Sequence, residues 1–322
     1  MNLLSILDSS FLQGLSWGLA TLGLIISLRI FRFPDLTVDG SFGLGGAISA
    51  ILLANGYSPL VATFFSFIGG LLAGFLTGIL HIKAKIGKLL SGILMMTALY
   101  SINFRVMGNC SNIPLLDVET LISFYENRDI HFFLPQLNLH IATYAFYIVF
   151  WFFICVVFYF CYYSEWGLIA RLAGYDENRS DAYGFDSGKY IVKGLMFSNG
   201  LVALSGSLVS QSQGFSDYNM GTGLVITALA SILIGEQIVR FILPTSFTQE
   251  KMSPATLLIA PFIGTFMYYF LVGLLLRMSS MNMLPIIRLQ PTDLKLITAM
   301  SVVAIIWLLP IKHTSFPREE TI

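Results

Sequence analysis

Charge is what this 322-residue chain has least of: 18 basic and 18 acidic side chains make up 11% of it, against 56% hydrophobic residues. Soluble domains carry about 25% charged residues to cover their surface. With a mean hydropathy of +0.77, most of this chain has lipid for a solvent. The formal net charge is zero, so there is no basic field to attract a nucleic acid. Cysteine is scarce too: Cys110, Cys155 and Cys161 are an odd number, two of them in one apolar stretch, with neither a disulfide framework nor zinc-ligand spacing. The four histidines, His81, His131, His140 and His313, fall at predicted loops or span ends. Without an HExxH pattern or clustered carboxylates, they argue against a metal or catalytic site. A GxxxxGK[ST] phosphate loop is also missing, so if ATP drives this protein another subunit binds it. The first residues, MNLLSILDSS, lack the basic region of a signal peptide and read as an interfacial lead-in to a first span that is retained.

What is present is apolar length. A helix needs about 20 apolar residues to cross the hydrocarbon core. Eight stretches reach that: 11–31, 59–80, 86–106, 141–163, 190–210, 222–242, 255–276 and 293–311. A ninth, 40–54, is shorter and follows FRFPDLTVDGSFGLGG, whose Pro34, two aspartates and four glycines read as a re-entrant element or a broken spanning helix. Orientation follows from the loops. HIKAKIGK carries Lys83, Lys85 and Lys88, whereas 107–140 carries Asp117, Glu119, Glu126 and Asp129 against Arg128 alone. The first loop is expected inside and the second outside. Nine crossings then put 165–188, the 243–253 loop and the tail with Lys312 and Arg318 inside and the N-terminus outside, provided 40–54 crosses. In the external loop, Leu115, Val118, Leu121, Ile122 and Tyr125 have the spacing of an amphipathic surface helix. The Gly-rich lead, Ser58-Pro59 and the Gly-containing helix of the first half are echoed by MGTGLVITALASILIGE, Ser253-Pro254 and FIGTFMYYFLVGLLL. Five crossings separate the pairs, so they would point oppositely, as inverted repeats do.

Within the spans, Gly70, Gly74 and Gly78, and again Thr227, Ser231 and Gly235, form small-xxx-small steps whose first reading is close helix packing. Asn199, Ala203, Gly206 and Ser210 make one narrow small-and-polar stripe; Thr97, Tyr100 and Ser101, with Asn103 nearby, make another. Such stripes either line a water-filled path, in which case the two share a cavity, or join helices by hydrogen bonds. Asp39 stands at the mouth of the Gly-rich segment. Its carboxylate either has a role at membrane depth or sits harmlessly at the interface.

The exception to the scarcity of charge is EWGLIARLAGYDENRSDAYGFDSG, residues 165–188, which holds seven of the 36 charged side chains. Its plain reading is a solvated loop, but it has the signals of helix, turn, helix. GLIARLAGY continues the preceding helix, Asp176 is placed to cap a second short helix, and Gly184 is placed to end it. A short polar helix along the membrane surface is a docking element for something soluble.

These residues resemble a known family. GLIARLAGYDENRSDAYGFD with the following KGLMFSNGLVALSGSLVSQSQGFSDYNMGTGLVITALASILIGE is similar to the cytoplasmic loop and next helices of permease subunits of ABC importers in the branched-chain amino acid and ribose permease superfamily. FPDLTVDGSFGLGGAISAILL and KLLSGILMMTALYSINFRVMG resemble the same family, and more narrowly its amino-acid branch associated with tryptophan or tyrosine; the likeness covers 12–310. The resemblance implies an all-α polytopic membrane protein, a single permease domain over 1–322 of about nine transmembrane helices, with a broken Gly-rich second helix and inverted repeats. It implies a bacterial inner-membrane location, two cytoplasmic ABC ATPase subunits that bind the ATP, an external substrate-binding lipoprotein and a permease homodimer or pseudo-dimer. No cofactor of its own is expected. Carried over residue by residue, Arg171, Gly174, Asp176, Asn178, Ala182, Tyr183 and Gly184 occupy the family's coupling motif. The family's version of this loop is more often alanine-rich and basic, whereas this chain has Tyr175, Asp176, Glu177 and Asp186. Asp39, Thr97, Ser101, Asn103, Asn199 and Ser210 are the candidates for the translocation path of a small polar solute, an amino acid by this resemblance.

Two rival classes make different demands. An ion-coupled secondary transporter needs titratable groups inside the spans, where only Asp39 and Glu236 stand out, both near span ends. An intramembrane serine protease built on Ser207 in SGS needs a base within hydrogen-bond reach, and no histidine lies in a predicted span.

Overall fold

The computed structural model of the chain describes residues 3–116, 118–121, 141–242, 247–248, 251–252 and 254–280. Helix α1 (Leu3–Ile25) runs on through a π-helical turn (Ile26–Ile30). It is followed by α2 (Thr37–Ala54), α3 (Pro59–Ile82) and α4 (Lys88–Val106). After strand β1 (Asn112–Pro114) come α5 (Ile141–Tyr163), two short helices α6 (Glu165–Tyr175) and α7 (Glu177–Ala182), and the long α8 (Ser187–Gln213). Strand β2 (Phe215–Asp217), α9 (Leu224–Ile242), strands β3 (Phe247–Thr248) and β4 (Lys251–Met252), and α10 (Pro254–Ser280) complete the described chain. Among the described residues eight helices are long and apolar enough to cross a membrane: α1 with its π turn, α2 to α5, and α8 to α10. This is the expected all-α, multi-pass membrane protein. The expected span 293–311, the tail with Lys312 and Arg318, and residues 122–140 with much of the expected surface helix lie outside the described residues.

Local chemistry sets the element boundaries. Ser58 is extended and Pro59 opens α3 at its first position, where a missing N–H costs nothing. Gly214, at φ 74°, closes α8 by donating its N–H to the Ser210 carbonyl oxygen. The Gly-rich segment differs from expectation. It is a continuous 18-residue helix, about 27 Å long at 1.5 Å per residue, and the break lies upstream, in the non-helical residues 31–36 that contain Pro34. Its glycines are there for contact. A Cβ at Gly45 would overlap the Ala203 carbonyl of α8, and one at Gly206 would overlap the Phe42 carbonyl of α2. The steps on α3 serve the same helix: Gly70 faces Asn199, Gly74 faces Leu195, and a Cβ at Gly78 would stand 2.8 Å from Val192 Cγ2. On α9, Gly235 packs on Ala260 while the Ser231 carbonyl meets Gly264 of α10, so both small-residue patterns are packing seams.

These contacts also give directions. Helix α8 is central. Helix α1 runs antiparallel to it, since Ser198 Oγ donates to Gly23 O (2.7 Å) and Ser205 Oγ to Ser16 O (2.6 Å). Helix α2 runs parallel to α8, through Ser41 with Asn199 and Ser49 with Gln211. Helix α10 lies antiparallel along α1, with Gly14 at Phe266 and Gly273 at Ile6, and α9 antiparallel to α10. Hence α2 and α9 run in opposite directions, as do α3 and α10, which is what the internal likeness requires. One end of the bundle carries Lys83, Lys85, Lys88 and the α6–α7 arm, joined by a Lys88–Glu177 ion pair at 2.5 Å. The other end carries the N-terminus of α1 and the β1–β2 ribbon, registered Asn112↔Asp217 and Pro114↔Phe215.

Candidate functional site

The charged segment folds as a capped arm. Ser164 caps α6 by accepting from Gly167 N–H (3.3 Å), Asp176 caps α7 by accepting from Arg179 N–H (3.1 Å), and Asp186 caps α8 by accepting from Lys189 N–H (3.1 Å). Gly184, at φ 85°, ends α7 in a conformation that a side chain disfavours. The Lys189 ammonium and backbone N–H hold the exposed Asp186 carboxyl below the usual carboxylate range. Three successive caps within 23 residues leave little slack, and the arm is tied to the bundle at several points. The Gly174 backbone rests on the Ile30 carbonyl, where any Cβ would overlap it. Arg171 donates to the Tyr162 carbonyl (3.0 Å) and lies over the Tyr162 ring at 3.9 Å. The Ser187 N–H donates to Asp181 Oδ1 (2.9 Å), and Glu177 reaches Lys88 at the start of α4.

Of the seven residues assigned to the arm from sequence, Arg171, Gly174, Asp176 and Gly184 therefore shape and anchor it, while Asn178, Ala182 and Tyr183 form its exposed surface. That surface is aromatic as well as charged: Tyr175, Tyr183 and Phe185 are 62%, 72% and 39% exposed. Aromatic side chains projecting from a rigid polar arm mark a protein-binding surface.

The intramembrane candidates fall into two groups that do not meet. Asn199 is fully buried and donates from Nδ2 to Asp35 Oδ2 (2.7 Å) and to Leu195 O (3.0 Å), while its Oδ1 accepts from Ser41 Oγ (2.7 Å). Asp35 Oδ1 accepts from the Thr37 N–H (2.9 Å), so the carboxylate caps the start of α2 while tying it to the middle of α8. Further along the same seam Thr37 meets Thr77 (2.9 Å), and Gln211 Nε2 donates to Thr63 (3.0 Å), Ser207 (3.1 Å) and Ser49 (3.2 Å). Ser210 is buried and donates to the Ser207 carbonyl. This stripe is hydrogen-bonding glue between α8, α2 and α3.

Thr97 and Ser101 instead lie on the exposed face of α4, beside Tyr100, which is 44% exposed and donates to Tyr218 Oη (3.3 Å). The expectation of one cavity shared by the two stripes is thus corrected: α2 stands between them, with Gly40 packed on Leu99 of α4 and Gly45 on Ala203 of α8. Asn103 belongs to that partition, buried and donating to the Gly40 carbonyl (3.1 Å). Asp39 is half-buried. Its two oxygens accept the Gly223 N–H (3.0 Å) and the Val225 N–H (2.9 Å), so it caps α9 from the first turn of α2.

Two features escaped the sequence reading. Asp35 looked like part of a breaker segment, and only its partner 164 residues away makes it a buried anchor. Arg29, in the π-helical turn, pairs with Glu236 of α9 at 2.9 Å, which gives the span-end carboxylate a fixed partner. The signal for the second was there, as two opposite charges at the same end of two spans.

The family model described as branched-chain amino acid transport system permease component matches residues 6–308. The chain is 39% identical over 294 residues to a tyrosine transport system permease protein of Clostridioides difficile, covering 91% of this chain and 87% of the relative. It is 32% identical over 276 residues to an uncharacterized protein of Rickettsia prowazekii, covering 86% and 88%. No solved structure matches the chain.

Proposed function

The chain belongs to the branched-chain amino acid transport permease family, and from that premise we propose that it is the membrane-spanning permease subunit of a bacterial inner-membrane ABC importer for an amino acid, of which tyrosine is the first to test. In this reading cytoplasmic ATPase subunits bind and hydrolyse the ATP, an external lipoprotein delivers the solute, and two copies of the permease enclose the path. The observation that carries the reading is the α6–α7 arm, rigid, capped and aromatic at its exposed surface, at the lysine-bearing end of a multi-pass bundle.

The mechanism follows from what the arm touches. A push on α7 reaches α4 through Glu177 and Lys88, α1 through Gly174 and Ile30, and α8 through Asp181 and Ser187. A capped helix moves as a body, so closure of an ATPase pair displaces the ends of three spans together. One of those spans, α4, presents Thr97, Tyr100 and Ser101 outward. Hydroxyls on an outward face suit contact with water and a polar solute better than contact with lipid. Among the described residues the buried polar groups of α8, with Asp35, Thr37, Ser41 and Thr77, hold helices together, so in this reading the permease contributes geometry and motion while the chemistry belongs to the ATPase.

The rivals are weaker against the same geometry. Asp39 and Glu236, the carboxylates the sequence offered to an ion-coupled transporter, are each tied to fixed partners, as is the buried Asp35. Among the described residues Ser207 Oγ meets Thr63 (3.4 Å) and Gln211 (3.1 Å), neither of which can take its proton.

The test is uptake into vesicles holding the permease, its ATPase and its binding protein. Gly184→Val forces a branched residue into the left-handed region at about 1–2 kcal/mol, and should leave insertion intact while ATP hydrolysis loses its coupling to tyrosine uptake. Full coupled uptake by Gly184→Val combined with Tyr183→Arg would contradict the arm's role.

A further inference from the structure

Where α1 ends, its π-helical turn, the last turns of α5, the first turns of α6 and the lower part of α8 leave a cavity of about 250 Å³. Its wall is almost wholly apolar, built by Ile30, Phe158, Trp166, Ala170 and Phe197, with Lys193 the charged group on its lining. Lys193 is exposed, and among the described residues no hydrogen bond or ion pair engages it. It stands six residues into α8, roughly 9 Å above the end of the helix that carries the docking arm. That depth is where lysine stems lie along apolar surface and where tryptophan and tyrosine collect, as Trp166 and Tyr162 do here.

The occupant can be narrowed by chemistry. An apolar wall excludes ordered water, which needs two to four polar partners. A flexible hydrocarbon chain fits, and an unpaired lysine at the mouth of an apolar pocket at the basic end of a bundle selects an anionic headgroup above it.

We propose that this cavity binds an anionic phospholipid of the adjoining leaflet, one acyl chain against Phe158, Trp166 and Phe197 and the phosphate on Lys193. The site adjoins the docking arm directly. Trp166 and Ala170 lie on α6, one to two turns before Gly174 rests on Ile30, so the chain would wedge α6 against α1 and α8. Leaflet composition would then set how stiffly the arm is held.

Native mass spectrometry of the full-length permease in detergent, supplied with phosphatidylglycerol, phosphatidylcholine or palmitate, reads this directly. One phosphatidylglycerol should be retained per protomer, about fivefold in preference to phosphatidylcholine, the attraction of one lysine near a surface. Lys193→Gln, a change at an exposed position, should erase that preference. Phosphatidylglycerol with a photoreactive group near its chain end should label the peptides containing Phe158, Trp166 and Phe197. The proposal is overturned by equal retention of the two phospholipids in the unaltered protein, by a preference that survives Lys193→Gln, by palmitate binding as well as phosphatidylglycerol, or by label confined to the outer faces of α3 and α9.

Discussion

Two helices carry polar stripes of the same kind, and the bundle uses them in opposite ways. The stripe of α8, from Asn199 to Ser210, is buried, and among the described residues its hydrogen bonds go to Asp35 just before α2, to Ser41 of α2 and to α8 itself, with Ser205 and Ser207 beside it reaching α1 and α3. The stripe of α4, Thr97 and Ser101 with Tyr100, looks outward. A polar face in a membrane helix thus means either a joint or a wet surface, and spacing does not say which. What decides is the neighbour. The glycines of α2, α3 and α8 bring backbones within contact of one another, and at that distance hydroxyl and amide groups on the facing sides have only each other to bond. Among the described residues helix α4 packs on α2 and α3 and leaves its outward face uncovered.

The sharpest way to break this contrast is at Asn199. Asn199→Leu removes the amide that bonds both the buried Asp35 carboxyl and the Ser41 hydroxyl, and each buried polar group that loses its partner costs about 1–3 kcal/mol. The expected result is a large drop in the thermal unfolding temperature in detergent, with transport lost because folded protein is lost. Asp39→Ala should cost less, about 1–2 kcal/mol, since two backbone N–H groups at the start of α9 lose their acceptor at a site that water can partly reach. Hydrogen exchange should rise selectively in residues 223–226. At the bottom of the scale, Thr97→Val with Ser101→Ala should change stability by less than about 0.5 kcal/mol, as surface substitutions do. Transport should fall all the same, because the two hydroxyls set among the exposed Leu90, Ile93, Leu94 and Ile102 have gone. A stable, inactive α4 variant beside an unstable α8 variant would bear out the division; equal destabilisation of both would abolish it.

How much of this was legible in the sequence differs by region for physical reasons. The spans could be read because the bilayer imposes one length and one polarity on each, and α3, α5 and α10 agree with their expected ranges to within a few residues. The arm could be read because caps are local: Asp176 and Gly184 act on groups within a few residues of themselves. The break was legible in the Pro34 segment, where it falls in residues 31–36, but the Gly-rich run itself stays helical because Gly45 is backed by the Ala203 carbonyl and Gly40, Gly43 and Gly46 by the side chains of Leu99, Asn103 and Met220. Asp35 was passed over and Asp39 singled out, yet both act as caps whose full meaning depends on residues about 160 to 190 positions away. Which of two stripes faces a partner is tertiary information of the same sort, and no window on the sequence contains it.

The central claim is that the solute's wet route runs along α4 while the polar seam of α8 is dry. Its most direct test is thiol accessibility, in a background where Cys110, Cys155 and Cys161 are replaced by serine or alanine. Single cysteines at Thr97, Ser101 and Ser210 are exposed to a membrane-impermeant, water-soluble thiol reagent in vesicles containing the assembled transporter. Rapid labelling at Thr97→Cys and Ser101→Cys with Ser210→Cys untouched is the result expected; labelling at Ser210→Cys with both α4 positions protected would contradict it.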